Sequence, residues 1–452
     1  MSESPFVTDF RVLLAKHNIA APKFAHGSKP FNPAKPQCLY GGPVYDVEEL
    51  AAATGALCEG KWSVSGEYVH RFEKLFSEYL GQEESVAVNS GSSADLLMIA
   101  AAKARYGWDD GDGILVSPCG FPTTISAITL NGLTPVFVDI EWETLNADHK
   151  AIETKLIYDC PAPTHIKAIF VSPVLGNPPD MDELVQLGER YGVKILLDGC
   201  DSLGSKWRGK HLAHYAAASS CSFFPAHHMS VLNGGMISSN DKELVRIARQ
   251  LSTWGRGCHC VGAANLLSKG TCGCRFKAWL PDEPDLILDH KYVFERQGYN
   301  LQMLDLQGAM GCAQMAKLES IHERRRAAWL RIRHALVTSP LNVRVVNRLY
   351  AEVDSPLPSS QPSWFGVAIV CRDYAYKRAL VSHLEAAGIQ TRNMFAENIL
   401  QQPGYAHLGT ATDYPNANQV PRCVFFLGCP PFYSEEHFAH IESTLRSFVP
   451  PS

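Results

Sequence analysis

The stretch Ser222-Phe-Phe-Pro-Ala-His227-His228-Met-Ser-Val-Leu-Asn-Gly234-Gly235 brings a hydroxyl, two imidazoles and a glycine pair close together along the chain. Imidazole moves protons near neutrality, a serine hydroxyl can bond a phosphate oxygen, and glycines let backbone pass close to a ligand. A buried strand Cys221 to Phe224 running into a turn with two structural histidines would use the same residues. Upstream, Asn89-Ser-Gly91-Ser92-Ser93-Ala-Asp stands where a strand feeds a helix. Backbone N–H groups and hydroxyls gather there at the positive helix end, an anion site or simply a capped turn. Asp198 ends the apolar run Lys194-Ile-Leu-Leu, and a carboxylate in that place is costly unless paired. Fourteen cysteines are present, clustered in part as Cys258-His-Cys260 and Cys272-Gly-Cys274 with Cys200 upstream. Such clustering suits thiols or metal ligands in a reducing compartment better than disulfides.

Those residues resemble the signature of the DegT-type sugar aminotransferase and dehydrase family, in which Ser-Phe-x-Pro-x-Lys leads to Gly-Gly. His227 stands at the family's Schiff-base lysine position, and an imidazole cannot form that covalent link. Pro225-Ala-His-His is similar to the motif of the 3-dehydrase branch, and the likeness runs from about Phe31 onward. The resemblance implies an α/β protein with an aspartate-aminotransferase-like (fold type I) large domain, a mostly parallel sheet and a small C-terminal α/β domain. It further implies pyridoxamine 5'-phosphate (PMP, the aminated form of PLP) held without a covalent bond, with His227 as the catalytic base. Ser92, Ser93 and Ser222 would hold its phosphate, Phe121 would stack on the ring, and Asp198 would pair with the pyridine nitrogen. Asn300 would reach the phosphate of a neighbouring subunit, which implies a homodimer.

The same resemblance assigns Cys200, Cys258, Cys260 and Cys272 to a [2Fe-2S] cluster. Cys258 follows Cys200 after 258−200−1 = 57 residues, as in the branch. The last gap departs from it: position 268 is serine, and Cys272 follows Cys260 after 272−260−1 = 11 residues, with Cys274 as a substitute. Four thiolates suit [2Fe-2S], and a tetrahedral zinc site is the structural alternative. Lys291 and Arg392 match family positions near the sugar nucleotide. Asn233 stands where the family has Glu or Asp, and Glu397 where relatives have Gly. The implied function is C3 dehydration of a nucleotide-linked 4-keto-6-deoxy sugar in dideoxy sugar biosynthesis, with electrons from a flavin and iron-sulfur reductase. Two alternatives remain: a clusterless enzyme of the GDP-4-keto-6-deoxymannose type that takes its amine from glutamate, and a silent zinc-stapled or redox-sensing relative.

The elements that must position these residues follow from pattern and length. At 452 residues, 46% hydrophobic and 19% charged, the chain suffices for one large and one smaller domain. We expect an N-terminal arm over 1–37, a large cofactor-binding domain over 38–325 with a Cys-rich loop at 255–277, and a small domain over 326–452. A net charge of −5 argues against a nucleic-acid partner. No apolar run approaches a membrane span, and the N-terminus lacks a signal pattern; a cytoplasmic location is expected. From residue 84, short apolar runs alternate with helical periods, the pattern of a parallel sheet with crossover helices. Strands are expected at Ser85–Val88, Ile114–Ser117, Pro135–Ile140, Ala168–Ser172, Lys194–Asp198 and Met236–Ser239. A single long helical period, Met303 to about Val337, is expected to join the domains, with Glu323-Arg-Arg-Arg326 on a solvated face.

Overall fold

The computed structural model describes residues 5–22, 25, 30–159, 165–258, 273–346 and 359–450. Its centre is a seven-stranded sheet in the spatial order Glu84–Val88, Gly235–Ser239, Ala218–Ser222, Lys194–Asp198, Ile166–Val171, Gly113–Val116 and Thr134–Phe137. Gly235–Ser239 runs antiparallel to both its neighbours, and every other pairing is parallel. Strands covered by helices on both faces read as unbroken apolar runs, which is why Gly113–Val116 is buried throughout and Lys194–Asp198 is exposed only at its lysine.

Local chemistry sets the crossover ends. The helix Gly91–Tyr106 begins at Ser90, whose side chain accepts from the Ser93 N–H, and stops at Gly107 in the left-handed conformation. Asp180 and Gly192 do the same for Met181–Tyr191. Several expected boundaries move: the strand at 135 ends at Phe137, and the one at 221 spans Ala218–Ser222, so Phe223 and Phe224 lie beyond it. The long helical period is two helices, Asp305–Met315 and Leu318–Thr338. At the break, the Lys317 ammonium bonds the buried Glu49 carboxylate at 2.7 and 2.9 Å.

Leu318–Thr338 links two cores. Leu318 packs with Phe72, Phe76 and Phe223 on one side of the large sheet, whereas Trp329, Ile332 and Leu336 belong to a second core with Val367, Leu380 and Leu427. Trp329 and Trp364 stack there at 4.5 Å. That core covers an antiparallel sheet ordered Val343–Val345, Gly366–Cys371, Val424–Gly428 and Thr391–Arg392. No helix among the described residues is long and apolar enough to cross a membrane.

Candidate active site

A cavity of about 580 Å³ opens beyond the carboxyl ends of Lys194–Asp198 and Ala218–Ser222, beside the start of helix Gly91–Tyr106. Sheets of this kind bind ligands at that edge. Its walls include Ser92, Phe121, Asp198, Cys200, Ser222, His227 and Arg392. Seven residues far apart in the chain thus meet at one place. Ser93, Lys291, Asn300 and Cys258 do not line it. Ser93 is engaged in the helix cap, where its N–H donates to Ser90 Oγ at 3.1 Å. Lys291 is half-buried on the 3₁₀ turn His290–Tyr292, and Asn300 is exposed with its side-chain oxygen accepting from Gln302.

The end of the cavity at the helix N-terminus is tight. A methyl group added at Gly91 would lie 2.4 Å from Ser222 Cβ, 2.8 Å from Ser222 Oγ and 3.1 Å from Cys200 Sγ. Only glycine lets the helix N-terminus and the Ser222 hydroxyl converge this closely. Ser92 Oγ donates to Thr123 Oγ1 at 3.1 Å. Deeper, Asp198 is 4% exposed and accepts from Thr124 Oγ1 at 2.7 Å and from the Cys200 N–H at 3.2 Å. Burial, and then the Asp198 charge, push Asp95 well above the usual carboxylate range, and Ser220 donates to it at 2.6 Å. Phe121, which its local sequence alone would put in a core, is 52% exposed and meets the Phe395 ring edge-on at 6.1 Å. A helix N-terminus with serine hydroxyls, a sheltered carboxylate and a free aromatic face together fit a phosphorylated pyridine.

The two histidines part company. His227 lines the cavity, with Nδ1 3.5 Å from Asp201 Oδ1 and without a hydrogen-bond partner. Burial, followed by the Arg325 charge, pushes its pKa down to about 3, so the imidazole is neutral instead of titrating near 6.5 as the sequence suggested. Asp201 is pushed up to about 8 by burial and then by Asp198. His228 is 1% exposed, and its Nε2 pairs with the Ser363 carbonyl at 2.9 Å.

Sequence reasoning missed several groups. Arg325, expected on a solvated face, is 1% exposed. Its register carries the reason: Leu318, Ile321, His322, Arg325, Ala328, Trp329 and Ile332 form one buried stripe, a spacing legible in the chain. Asp95 and Asp201 had no comparable signal. At another wall of the cavity, the Arg392 guanidinium lies 4.0 Å from the Tyr40 ring centroid. Glu397 takes φ +57, the conformation that explains glycine in relatives, and is tied to buried Lys377 at 3.1 Å.

Of the four cysteines assigned to a cluster, Cys200 lines the cavity and Cys258 is buried. Cys260 and Cys272 lie outside the described residues, and Cys274 is exposed. The potential metal ligands that converge among the described residues are Asp95, Asp198 and Cys200, within 4.8 Å of one another. Cys200 therefore places a thiol at the cavity wall beside Asp198.

Known proteins bear out the fold and the family. The chain is 33% identical over 442 residues to a dTDP-4-dehydro-2,6-dideoxy-D-glucose 3-dehydratase of Saccharopolyspora spinosa, covering 96% of this chain and 89% of the relative. It is 30% identical over 428 residues to the lipopolysaccharide biosynthesis protein RfbH of Salmonella typhimurium, covering 93% of each. A crystal structure of GDP-4-keto-6-deoxymannose-3-dehydratase with a trapped PLP-glutamate geminal diamine superposes with a TM-score of 0.75 at 25% identity, over 90% of this chain and all of the other. Residues 43–446 match one family along almost the whole folded body, and the chain belongs to the DegT/DnrJ/EryC1/StrS aminotransferase family.

Proposed function

We propose that the protein is a 3-dehydrase that removes the C3 hydroxyl of a nucleotide-linked 4-keto-6-deoxyhexose, using pyridoxamine 5'-phosphate and a [2Fe-2S] cluster. The observation that carries this reading is a cavity with phosphate, ring and carboxylate groups but no lysine among the described residues that line it, a neutral imidazole facing it instead. A transaminase of this fold needs an amine there.

When bound, the cofactor would supply an amine for the sugar ketone and a ring that withdraws electrons. The chain supplies the rest. Ser222, Ser92 and the N–H groups at Gly91 would hold the phosphate; Asp198 would pair with the pyridine nitrogen, and Phe121 would stack on the ring. His227 is the group that would take a proton at an imidazole nitrogen and return it to the departing hydroxyl, although a pKa of about 3 makes it a weak base in these surroundings. Arg392 is a cation for the substrate's phosphates. Cys200, Cys258, Cys260 and Cys272 form the ligand set we assign to the cluster, which would supply single electrons from a flavin and iron-sulfur reductase. Exposed Asn300 would serve the second subunit of a homodimer.

The test is anaerobic purification with iron and sulfide analysis, then turnover of CDP-, dTDP- and GDP-linked 4-keto-6-deoxy sugars with pyridoxamine phosphate and a reductase. Stoichiometric iron and a C3-deoxygenated product are expected. A second reading, clusterless and supplied with its amine by glutamate, is favoured by the PLP-glutamate species in the crystal neighbour. Iron-free protein that turns over with glutamate alone would establish it and overturn the cluster.

A further inference from the structure

Arg325 carries a charge that nothing in the cofactor cavity uses directly. Its Nη2 donates to the carbonyls of Ala226 at 3.1 Å and His227 at 3.0 Å, and Nη1 lies 3.5 Å from the Phe365 carbonyl. Nε has no hydrogen-bond partner and no ion pair to a carboxylate forms among the described residues; the Cys429 thiol bonds the side chain and the Asp201 charge favours the cation. Taking a guanidinium out of water without a counter-ion costs several kcal/mol, a steep cost for a tie between helix and loop that an amide could make. What an amide cannot do is span three carbonyls from one planar fork. Two of those carbonyls flank the Cα of His227, and the third belongs to Phe365, whose ring packs 5.2 Å from the His227 ring. One side chain thus fixes the backbone before and after His227 and the wall behind it.

We propose that Arg325 is a positioning residue for His227: its three-carbonyl clamp sets where the side chain at 227 stands relative to the cofactor's reactive carbon. The inference rests on the cofactor reading above. It adds a group from the helix that joins the two cores, one that no contact with cofactor or substrate would reveal. The phosphate and pyridine contacts come from other elements, so the clamp governs aim and leaves cofactor binding to them.

The test places an amine at 227 and asks whether it is aimed. His227→Lys, given pyridoxal phosphate, should form a yellow, borohydride-reducible covalent adduct. Adding Arg325→Met should slow adduct formation by about 10-fold or more, with the affinity for pyridoxal phosphate before reduction within about 3-fold. In the otherwise native enzyme, Arg325→Gln should lower kcat by about 100-fold, the scale of a 1 Å misplacement, with KM little changed. Arg325→Lys should recover part of the loss, and Arg325→Gln replaces the methionine variant in the adduct assay if that variant fails to fold. Equal adduct rates with and without Arg325 would overturn the proposal, as would losses that fall equally on KM and cofactor affinity. If no 4-keto sugar is turned over by the native enzyme, the adduct rates still decide the role of Arg325. If His227→Lys with Arg325 intact forms no adduct, both readings fall.

Discussion

Gly91→Ala tests the phosphate cradle by the smallest possible change. The added methyl would sit 2.4 Å from Ser222 Cβ and 2.8 Å from its Oγ, whereas carbon atoms rest at about 3.5–4.0 Å. Ser222 must therefore move by about 1 Å, away from the helix end where, on the proposed function, its hydroxyl would meet the phosphate. A hydrogen bond to a charged group contributes about 1.5–3 kcal/mol, so affinity for pyridoxal or pyridoxamine phosphate should fall by roughly 10- to 150-fold. Helix propensity works the other way, since alanine is favoured over glycine by about 1 kcal/mol; weaker binding cannot then be blamed on a frayed helix. Ser222→Ala should lose a similar amount with no clash, and the double variant should lose little more, because both remove one contact. Cofactor titration by absorbance, with circular dichroism as the folding control, reads all three. Native affinity in Gly91→Ala, or fully additive losses, would refute the convergence of Gly91 and Ser222 on the phosphate.

His228→Lys should give no adduct with pyridoxal phosphate, because that side chain is buried against the Ser363 carbonyl; an adduct there and none at 227 would reverse the two roles. Burial pushes His211 down to about 4, and burial with the Arg325 charge pushes His228 and His322 well below 6.5; Arg326 and Lys206 also face His322. For these imidazoles the unfolded chain takes up protons first, so their contribution is complete above about pH 6.5 and is lost as pH falls toward 4, by about 1.4 kcal/mol per pH unit for each group. They outnumber the raised carboxyls of Asp95 and Asp201, which act in the opposite direction. Urea midpoints that stay level from pH 7.5 to 5 would contradict this. Glu73 accepts both Arg249 Nη atoms at 3.0 Å and the Ala87 N–H at 2.9 Å; Glu73→Ala leaves a buried cation unpaired and should cost about 3–5 kcal/mol in urea unfolding.

The sheet was legible because strands buried on both faces announce themselves as apolar runs, and Lys194–Asp198 appears with the bounds its sequence suggests. The helix Met181–Tyr191 carries its own signals in the chain, an Asp cap and a stopping glycine. The break at Lys317 was not legible, and the carboxylate that Lys317 meets there, Glu49, lies on a distant helix. His149–Asp159, which alternates apolar and polar residues weakly, escaped notice for lack of periodicity. In the site, residues within a compact motif, such as His227 and Ser222, could be read directly. Arg325 was misread because three basic residues in a row suggest solvent, although one of them falls on the apolar stripe. The low pKa of His227 comes from burial that only the assembled fold creates.

Glu397 has a consequence for how substrate enters. A glycine at that corner would be a free joint, and the segment Arg392–Phe395 beside it could swing. Here the corner is bolted: the side chain is fastened to the Lys377 ammonium beneath it, and the neighbouring Ala396 and Ile399 N–H groups are stitched to the carbonyls of Gly120 and Pro118. If the proposed function holds, a sugar nucleotide would arrive past this wall, and the breadth of sugars admitted would be set by its outline.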